Sequence, residues 1–383
     1  MKASVPSMRW VELGDYIDPC DERNADGRFG VDAVRGINKN KEFMPTAANV
    51  ESVDLRKYIV VRKSTFAFSG MQTGRDVCIR IALQESPETF VISPAYQTFR
   101  IKPCAPLLPQ FLLMYFKRAE MDRYGWFLSD SSVRSNLDWS RFVHIRIPLP
   151  SIEEQRRIVA AWRGLRNIKE QNEALAEPLL ALCQSRMEDL KKRAMAGEGS
   201  VDWVALGDYI EPCDERNDDL SVKLSQGIAN FKEFQNPKQV AANSMADRIV
   251  RTGDFAYNRA TTRNGEKISI AYREGPDCTV SGAYQVFRIA KPELLEPMFL
   301  LLWFKRSEFD RYARYMSKGS AHEFFEYEDM SRVRIPLPHI EEHRRIVAVY
   351  EAAREAKRIA EEAGQLSESI CPALMRRAAE GAS

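Results

Sequence analysis

The strongest constraint on the fold is that the sequence contains one long motif twice. The motif reads WVELGDYIDPCDERN from Trp10 and WVALGDYIEPCDERN from Trp203, and thirteen of its fifteen positions are identical. A second pair, RIPLPSIEEQRRIVA from Arg146 and RIPLPHIEEHRRIVA from Arg334, follows in the same order at nearly the same separation. Solenoid repeats are only about 20 to 50 residues long, so a period of this length indicates a duplicated domain with its connector. The chain is predicted to fold as two copies of one unit with different loops.

Length and composition exclude several classes of protein. The 383 residues suffice for two such units, and 44% hydrophobic and 29% charged residues are ordinary for a globular protein. The sequence has neither an apolar run of about 18 residues that could span a membrane nor an N-terminal secretory signal. Seven cysteines without a CxxC pair favour neither a disulfide framework nor a zinc site. We expect a cytoplasmic protein, and its net charge of +2 neither requires nor excludes nucleic acid as a partner.

Each half is predicted to be a β-rich domain with a few helices. Short strand-forming runs are separated by glycine, proline and polar residues at 58–62, 65–68, 78–83 and 89–93. Residues 108–123 have apolar positions at helical spacing. The same patterns recur at 249–286 and 296–311. The predicted fold class is α+β, with duplicated β-rich domains at residues 1–150 and 198–338.

A long charged helix is predicted after each domain, at residues 151–197 and 339–383. Each follows a Pro-x-Pro step and has two glutamates in its first turn, which is typical of a helix start. A heptad seam is predicted from Ile158, Leu165, Asn172 and Leu179 with Ala161, Ile168, Leu175 and Leu182, and from Ala356, Ala363 and Ile370 with Ala352, Ile359 and Leu366. We expect the helices to pack as an antiparallel coiled-coil spacer, with Pro178 and Pro372 kinking or breaking them. The alternative is that each helix packs only on its own domain.

The sequence lacks the motifs of common catalytic sites. It has no GxxxxGK[ST] phosphate loop, no GxGxxG dinucleotide loop, no HExxH zinc helix and no Asn-Pro-Pro-Tyr element of adenine methyltransferases. None of the four histidines lies beside an evident nucleophile. The acidic residues at 21–22 and 214–215 are each followed by an arginine, Arg23 or Arg216, which would compete with a metal by forming an internal ion pair. We therefore predict no catalytic residue, no metal site and no cofactor on this chain.

With this order of domain, helix, domain and helix, the chain resembles the DNA-specificity subunit of type I restriction–modification systems. The resemblance rests on the LGDYI opening of each half and on IPLPSIEEQRRIV, repeated as IPLPHIEEHRRIV, and it covers essentially the whole chain. His343 departs from the glutamine that is usual in the family and that is present as Gln155 in the first copy. The resemblance implies that each domain is a target recognition domain and that the chain is a noncatalytic reader of a bipartite DNA sequence.

The same resemblance implies the partners. They are double-stranded DNA, two methyltransferase subunits that bind S-adenosylmethionine, and motor-nuclease subunits in the full restricting complex. S-adenosylmethionine, ATP and magnesium are expected only on those partner subunits.

Residues that read two different half-sites should lie where the two copies differ. The divergent stretches pair 38–41 with 229–232, 69–75 with 258–264, and 129–134 with 317–322. Arginine, asparagine and glutamine can pair with base edges, whereas lysine and serine suit phosphate oxygens. The predicted DNA-binding residues are Asn38, Lys39, Lys41, Gln72, Arg75, Ser132 and Arg134 in the first half, and Asn230, Lys232, Asn258, Arg259, Arg263, Asn264, Lys318 and His322 in the second. The matching lysines, Lys41 and Lys232, are expected to hold the DNA backbone.

Two other functions remain open from the sequence. The chain could be a duplicated-domain adaptor that binds proteins without DNA specificity, or a nuclease with an unrecognised site. Arginine, asparagine and lysine in the divergent stretches favour DNA, whereas clustered exposed aromatic residues would favour a protein partner. A steep loss of DNA affinity with rising salt would separate the first two functions, and cleavage by the purified chain with magnesium would identify the third.

Overall fold

The structure is a computed structural model that describes residues 9–71, 76–130, 136–199, 201–237, 245–261, 267–319 and 323–380. The chain divides into two compact units. The first comprises Met1–Gln171 and Ile359–Ser383, and the second comprises Asn172–Arg358. Each unit therefore combines one β-rich half with one end of each long helix.

The first unit contains ten strands in its described part. They are β1 (Arg9–Glu12), β2 (Ile17–Cys20), β3 (Val34–Ile37), β4 (Phe43–Pro45), β5 (Ile59–Val61), β6 (Phe66–Ser69), β7 (Arg80–Leu83), β8 (Phe90–Ile92), β9 (Gln97–Ile101) and β10 (Arg146–Leu149). Strand β1 pairs antiparallel with β10, and an antiparallel sheet has the order β2–β9–β6–β7. The third sheet has the order β4–β3–β8–β5, in which β3 and β8 are parallel. The four strands predicted between residues 58 and 93 are confirmed.

The helical stretch predicted at 108–123 is two helices. The short helices of this unit are α1 (Pro109–Phe116), α2 (Ala119–Leu128) and α3 (Trp139–Phe142). The chain turns at Arg118, whose backbone is extended. Helix α1 is buried at every position from Phe111 to its end, whereas α2 carries charged residues that must reach the surface. A change of direction between the helices satisfies both requirements.

The second unit repeats this architecture. Its strands are β11 (Asp202–Ala205), β12 (Ile210–Cys213), β13 (Gly227–Ile228), β14 (Phe234–Gln235), β15 (Arg248–Val250), β16 (Phe255–Asn258), β17 (Ile270–Tyr272), β18 (Cys278–Val280), β19 (Tyr284–Ile289) and β20 (Arg334–Leu337). The long helix α4 (Ile152–Ala196) connects the two halves. The short helices of the second unit are α5 (Pro297–Phe304), α6 (Ser307–Met316) and α7 (Tyr327–Ser331). Strand β11 pairs with β20, and the four-stranded sheet has the order β12–β19–β16–β17. Strands β13 with β14 and β15 with β18 form separate two-stranded sheets.

The duplicated opening motif is structural in both units. Leu13 and Leu206 are fully buried, and their backbone N–H groups donate to the carbonyls of Ile145 and Val333 at 2.9 and 2.8 Å. At the end of the motif, the buried amides of Asn24 and Asn217 each close a loop by bonding to backbone groups five residues further on. These contacts place the two leucines and the two asparagines of the identical stretches in the framework of each unit.

The long helices are α4 (Ile152–Ala196) and α8 (Ile340–Glu380). In the first unit, Trp162 near the start of α4 and Met375 near the end of α8 lie in one hydrophobic core. In the second unit, Met187 near the end of α4 and Ile346 near the start of α8 lie in one core. In each unit the start of one long helix shares a core with the end of the other, so the helices pack antiparallel, as predicted.

Only part of the predicted heptad seam is buried. Ile158, Ala356 and Ala363 are buried, but Ile168, Leu175, Leu182, Leu366 and Ile370 are exposed. The other buried positions of α4 include Trp162, Ala176, Cys183, Met187 and Leu190. The helices also pack on the β-rich halves, so the buried stripe differs from the one that a two-helix seam predicts. The prolines end neither helix, because α4 continues through Pro178 and α8 through Pro372.

Candidate nucleic-acid interface

A tight hairpin loop carries the first group of predicted residues. Between β3 and β4, the Asn38 side-chain oxygen accepts a hydrogen bond from the Glu42 backbone N–H at 3.0 Å. Lys39 is exposed at the tip of this loop. The matching loop between β13 and β14 exposes Asn230 and Phe231. One hairpin therefore presents a cation and the other an amide beside an aromatic ring.

The matching lysines of these loops point inward. Lys41 and Lys232 are each 4% exposed, and their backbones adopt positive φ values of 64° and 68°. The Lys41 ammonium lies 2.7 Å from Asp122 Oδ1 on α2, and the Lys232 ammonium lies 2.7 Å from Asp310 Oδ1 on α6. Each ammonium also donates to the carbonyl of the last residue of α1 or α5, where the helix dipole favours a cation. Neither lysine faces solvent here, so the expected contact with the DNA backbone gains no support from their positions.

Each aspartate of these ion pairs also accepts a hydrogen bond from the segment that follows a divergent stretch. Asp122 Oδ1 accepts a hydrogen bond from the Ile79 backbone N–H at 2.9 Å, and Asp310 Oδ1 accepts one from Ile268 at 3.2 Å. Burial lowers the pKa of Lys232, and the Asp310 carboxylate opposes that shift. Each aspartate thus joins a hairpin loop, a helix and the segment after a divergent stretch.

In the first half, the start of the second divergent stretch lies against the segment that follows the third. The Leu137 backbone N–H donates to the Gly70 carbonyl at 2.9 Å. A Cβ atom on Gly70 would stand 1.8 Å from the Leu137 carbonyl oxygen, so only glycine fits this approach. Residues 69–71, which begin one stretch, thereby contact the segment that follows the other.

The corresponding stretches also converge in the second half. The Thr261 backbone N–H donates to the Glu323 carbonyl at 3.0 Å, and Phe325 donates to the Arg259 carbonyl at 2.9 Å. The Thr261 and Ser317 hydroxyls are 2.9 Å apart. The hairpin loop joins this group, because the Ser269 hydroxyl donates to Asn230 Oδ1 at 3.0 Å. All three divergent stretches therefore meet at one edge of the second unit.

The remaining predicted DNA-binding residues in the described part of the chain already make contacts within the protein. Asn258 Oδ1 accepts a hydrogen bond from a backbone N–H two residues on. The Arg259 guanidinium lies 3.2 Å from a Glu326 carboxylate oxygen. Lys318 is exposed, and its ammonium is 3.7 Å from Asp329. Seven other candidates lie outside the described residues: Gln72, Arg75, Ser132, Arg134, Arg263, Asn264 and His322.

Sequence reasoning missed three exposed aromatic residues on α2. Tyr124, Trp126 and Phe127 are all exposed, immediately before the third divergent stretch of the first half. The available signal was their spacing, because aromatics at positions i, i+2 and i+3 cannot all face one side of a helix. In the second half, Tyr315 occupies the place of Phe127 and is also exposed, while Tyr312 packs against the core.

The acidic ends of the duplicated motif form the expected internal ion pairs. The carboxylate of Asp21 lies 2.6 Å from Arg23, and that of Asp214 lies 3.6 Å from Arg216. A hydrogen bond from Arg62 lowers the pKa of Glu22, and one from Arg251 lowers that of Glu215. Within the described ranges, no group of three or more histidine, cysteine, aspartate or glutamate residues could hold a metal ion. None of the helices in the same ranges could span a bilayer.

Comparison with solved structures identifies the fold. No protein-family model and no curated protein sequence matches the chain. The S subunit of a type I restriction–modification system from M. genitalium matches with a TM-score of 0.62 and 15% identity, over 99% of this chain and 97% of that chain.

Two further structures match at lower TM-scores. The HsdS subunit from Thermoanaerobacter tengcongensis matches at 0.44 with 19% identity, over 99% and 98% of the two chains. A chain from a study of complex assembly in a type I R-M system matches at 0.45 with 18% identity, over 99% of both chains. On the M. genitalium match, the chain has the fold of a type I restriction–modification S subunit.

Proposed function

We propose that this chain is the noncatalytic DNA sequence-recognition subunit of a type I restriction–modification complex. Each β-rich half would read one half-site of a bipartite target, and the chain would recruit methyltransferase and motor-nuclease subunits. The observation that carries this proposal is the arrangement of shared and divergent residues. Residues of the identical stretches lie in the framework of both units. The described parts of the three divergent stretches are linked in the second unit, and in the first unit residues 69–71 contact the segment that follows the third stretch.

The convergence supports DNA reading because the two half-sites require one scaffold with two different surfaces. Direct reading of a base needs several side chains at fixed positions against one groove. Loops that hydrogen-bond to one another meet this condition better than separate loops do. The likeness in fold to a type I S subunit supports the same function.

Individual residues take different roles in this proposal. Lys39 and Lys318 are exposed cations suited to phosphate oxygens. Asn230 and Asn258 are suited to adenine edges, and the Phe231 ring beside Asn230 offers an apolar contact for a thymine methyl group. Arg259 would exchange Glu326 for guanine on binding. The candidates outside the described residues stay predictions from the sequence.

Adenine methylation mapping tests the proposal. Cells would express the chain together with its cognate methyltransferase subunit, beside cells that express the methyltransferase alone. We expect a split DNA motif that is methylated only when the chain is present. Absence of new methylation, with a soluble assembled complex and a competent methyltransferase, would contradict the proposal.

The exposed aromatic residues of α2 favour a second function, which is protein binding without DNA specificity. Under that alternative, Trp126→Ala with Phe127→Ala would abolish assembly with a partner protein, and the chain would show no salt-dependent affinity for DNA. Under the proposed function, DNA affinity falls steeply as salt rises. Lys39→Ala would then weaken DNA binding and reduce its salt dependence, without affecting assembly.

A further inference from the structure

Each unit contains one buried ion pair of the same kind at the same place, which we call the loop clasp. The clasp of the first unit is Lys41 with Asp122, and that of the second is Lys232 with Asp310. Both lysines are almost fully buried, and in each pair the ammonium is 2.7 Å from the carboxylate. Removing two charges from water offsets much of their attraction, so a buried ion pair is weak evidence for a role in stability alone. Its recurrence in both units places it in the shared framework that carries the divergent loops.

The clasp connects the three segments that carry the divergent stretches. Lys41 belongs to the hairpin loop that exposes Lys39. Asp122 holds the Ile79 backbone N–H, which follows the second divergent stretch. Asp122 itself lies on α2, which leads directly into the third stretch. The clasp of the second unit joins the corresponding three segments through Asp310.

The lysine backbones provide an independent sign of constraint. Positive φ is sterically unfavourable for a residue with a side chain, and it persists where the surroundings hold it. Lys41 and Lys232 both adopt it, at 64° and 68°. This conformation closes each hairpin loop and directs the ammonium inward, away from the residues at the tip.

We propose, on the basis of the proposed function, that Lys41 and Asp122 in the first unit and Lys232 and Asp310 in the second are positioning residues for DNA reading. Each clasp fixes the hairpin loop, the segment after the second stretch and the helix before the third stretch relative to one another. It thereby sets base choice at one half-site without touching DNA. The two clasps act independently, because each connects segments of only one unit.

The test removes each clasp without leaving a buried charge. In Lys41→Met/Asp122→Asn, the asparagine oxygen still accepts the hydrogen bond from Ile79, while both charges are lost. The matching variant is Lys232→Met/Asp310→Asn. The control is Arg56→Met/Asp54→Asn, which neutralises an exposed ion pair of the first unit whose atoms are 3.0 Å apart. All are prepared as full chains assembled with the methyltransferase subunit.

The readout is the methylation rate on the wild-type target and on targets with one substituted base pair in either half-site. We expect the first double variant to methylate first-half-site substitutions at least about tenfold faster relative to the intact target, corresponding to about 1.4 kcal/mol of lost discrimination. Its discrimination at the other half-site should equal that of the wild type. The second double variant should show the reverse pattern, and the control should show neither change.

Two outcomes would overturn the inference. One is a folded double variant whose discrimination is unchanged at both half-sites, which would make the clasp merely structural. The other is an equal loss at both half-sites, which would contradict independent positioning. If one double variant does not fold, the other still decides, because each half-site is tested by its own clasp. A wild-type complex without a split target would instead refute the proposed function.

Discussion

The first turn of each long helix packs against its β-rich half, and the two units fill the same position differently. In the first unit, the fully buried Gln155 side-chain oxygen accepts a hydrogen bond from the Leu108 backbone N–H at 2.8 Å. Its amide nitrogen donates to the carbonyls of Pro106 and Pro150 at 2.8 and 3.0 Å. One side chain thus joins the helix to two loops of the domain.

In the second unit, His343 replaces this glutamine and is also fully buried. Its ring stacks on Phe299 with centroids 3.9 Å apart, and neither ring nitrogen has a hydrogen-bond partner in the described part of the chain. An unpaired buried polar group costs about 1–3 kcal/mol. Both units thus keep a buried side chain at this contact between the long helix and its β-rich half, which we call the helix joint, but only the first unit keeps its hydrogen bonds. The helix joint should therefore be weaker in the second unit.

Breaking the loop clasps should cause the largest losses in the free energy of unfolding, and the losses should differ between the two units. Lys232→Met leaves the Asp310 carboxylate buried without its cation, and we expect the free energy of unfolding of the second unit to fall by about 3–5 kcal/mol. Lys41→Met should cost less, because the Asp122 side chain is 19% exposed whereas that of Asp310 is 10% exposed. Chemical denaturation of the full-length variants measures both values. Equal losses would contradict this ranking.

His343 in the helix joint should make the free energy of unfolding of the second unit dependent on pH. Burial, with a smaller contribution from His339, lowers the pKa of His343 from 6.5 to about 4. The unfolded chain binds this proton more readily than the folded chain does, so the contribution is fully present above pH 6.5 and is lost as pH falls towards 4. Over that window, the wild type should lose about 3 kcal/mol relative to His343→Gln.

His343→Gln isolates this effect from the other titrating groups of the unit. At pH 7 the glutamine should raise the free energy of unfolding by about 1–2 kcal/mol, since it can restore hydrogen bonds of the kind that Gln155 makes. Denaturant titrations of both proteins at several pH values supply the measurement. A difference that stays constant with pH would show that His343 does not titrate in this way.

The close approach at Gly70 should distinguish the loops of the two units. Gly70→Ala would place Cβ against the backbone of Leu137, and we expect a loss of about 1–3 kcal/mol as the loops shift apart. The second unit carries Arg259 at the matching position, where the side chain reaches Glu326 instead. Gly164→Ala is the control, because it meets no atom within 4 Å on α4 and should stabilise by about 0.5–1 kcal/mol. Thermal unfolding of both variants gives the comparison.

The smallest effect should come from the exposed ion pairs that tie each long helix to its β-rich half. Arg166 lies 3.1 Å from Glu85, and Arg354 lies 3.0 Å from Glu274. Because all four side chains are partly exposed, Arg166→Ala and Arg354→Ala should each cost less than about 1 kcal/mol and should match one another. A markedly larger loss in one unit, measured by denaturation, would reveal a second asymmetric joint.

Local pattern and duplication predicted much of the fold. The strands between residues 58 and 93 and the two long helices follow from the sequence, whereas the single helical stretch predicted at 108–123 is two helices. Leu13 and Leu206 lie in stretches that both copies share, and both are buried. The heptad seam was partly wrong because Ile168 and Leu175 were assigned by helix–helix spacing alone. The β-rich halves also bury helix positions such as Trp162, and no pattern within the helix reveals that contact.

The candidate site was less predictable for a related reason. Lys41 was assigned to the DNA backbone because it matches Lys232 in the other half and lysine suits phosphate oxygens. Its actual partner, Asp122, is distant in the sequence. A usable signal was present, since the aspartate recurs in MDRY and FDRY just as the lysine recurs in both hairpins. A cation and an anion retained together in both halves indicate an internal pair better than either indicates DNA binding.

The composition of the first unit has a consequence for synthesis of the chain. Its core includes Met375, which is fully buried in the same hydrophobic cluster as Trp162. The whole second unit lies between the first β-rich half and Met375 in the sequence. Domains generally fold as they emerge, in order from the N-terminus. Here the half that is synthesised first can complete its core only after the end of α8 has been synthesised. The second unit is continuous in the sequence and can complete its core earlier. The nascent first half therefore exposes apolar surface throughout most of translation, and premature termination would damage the half made first.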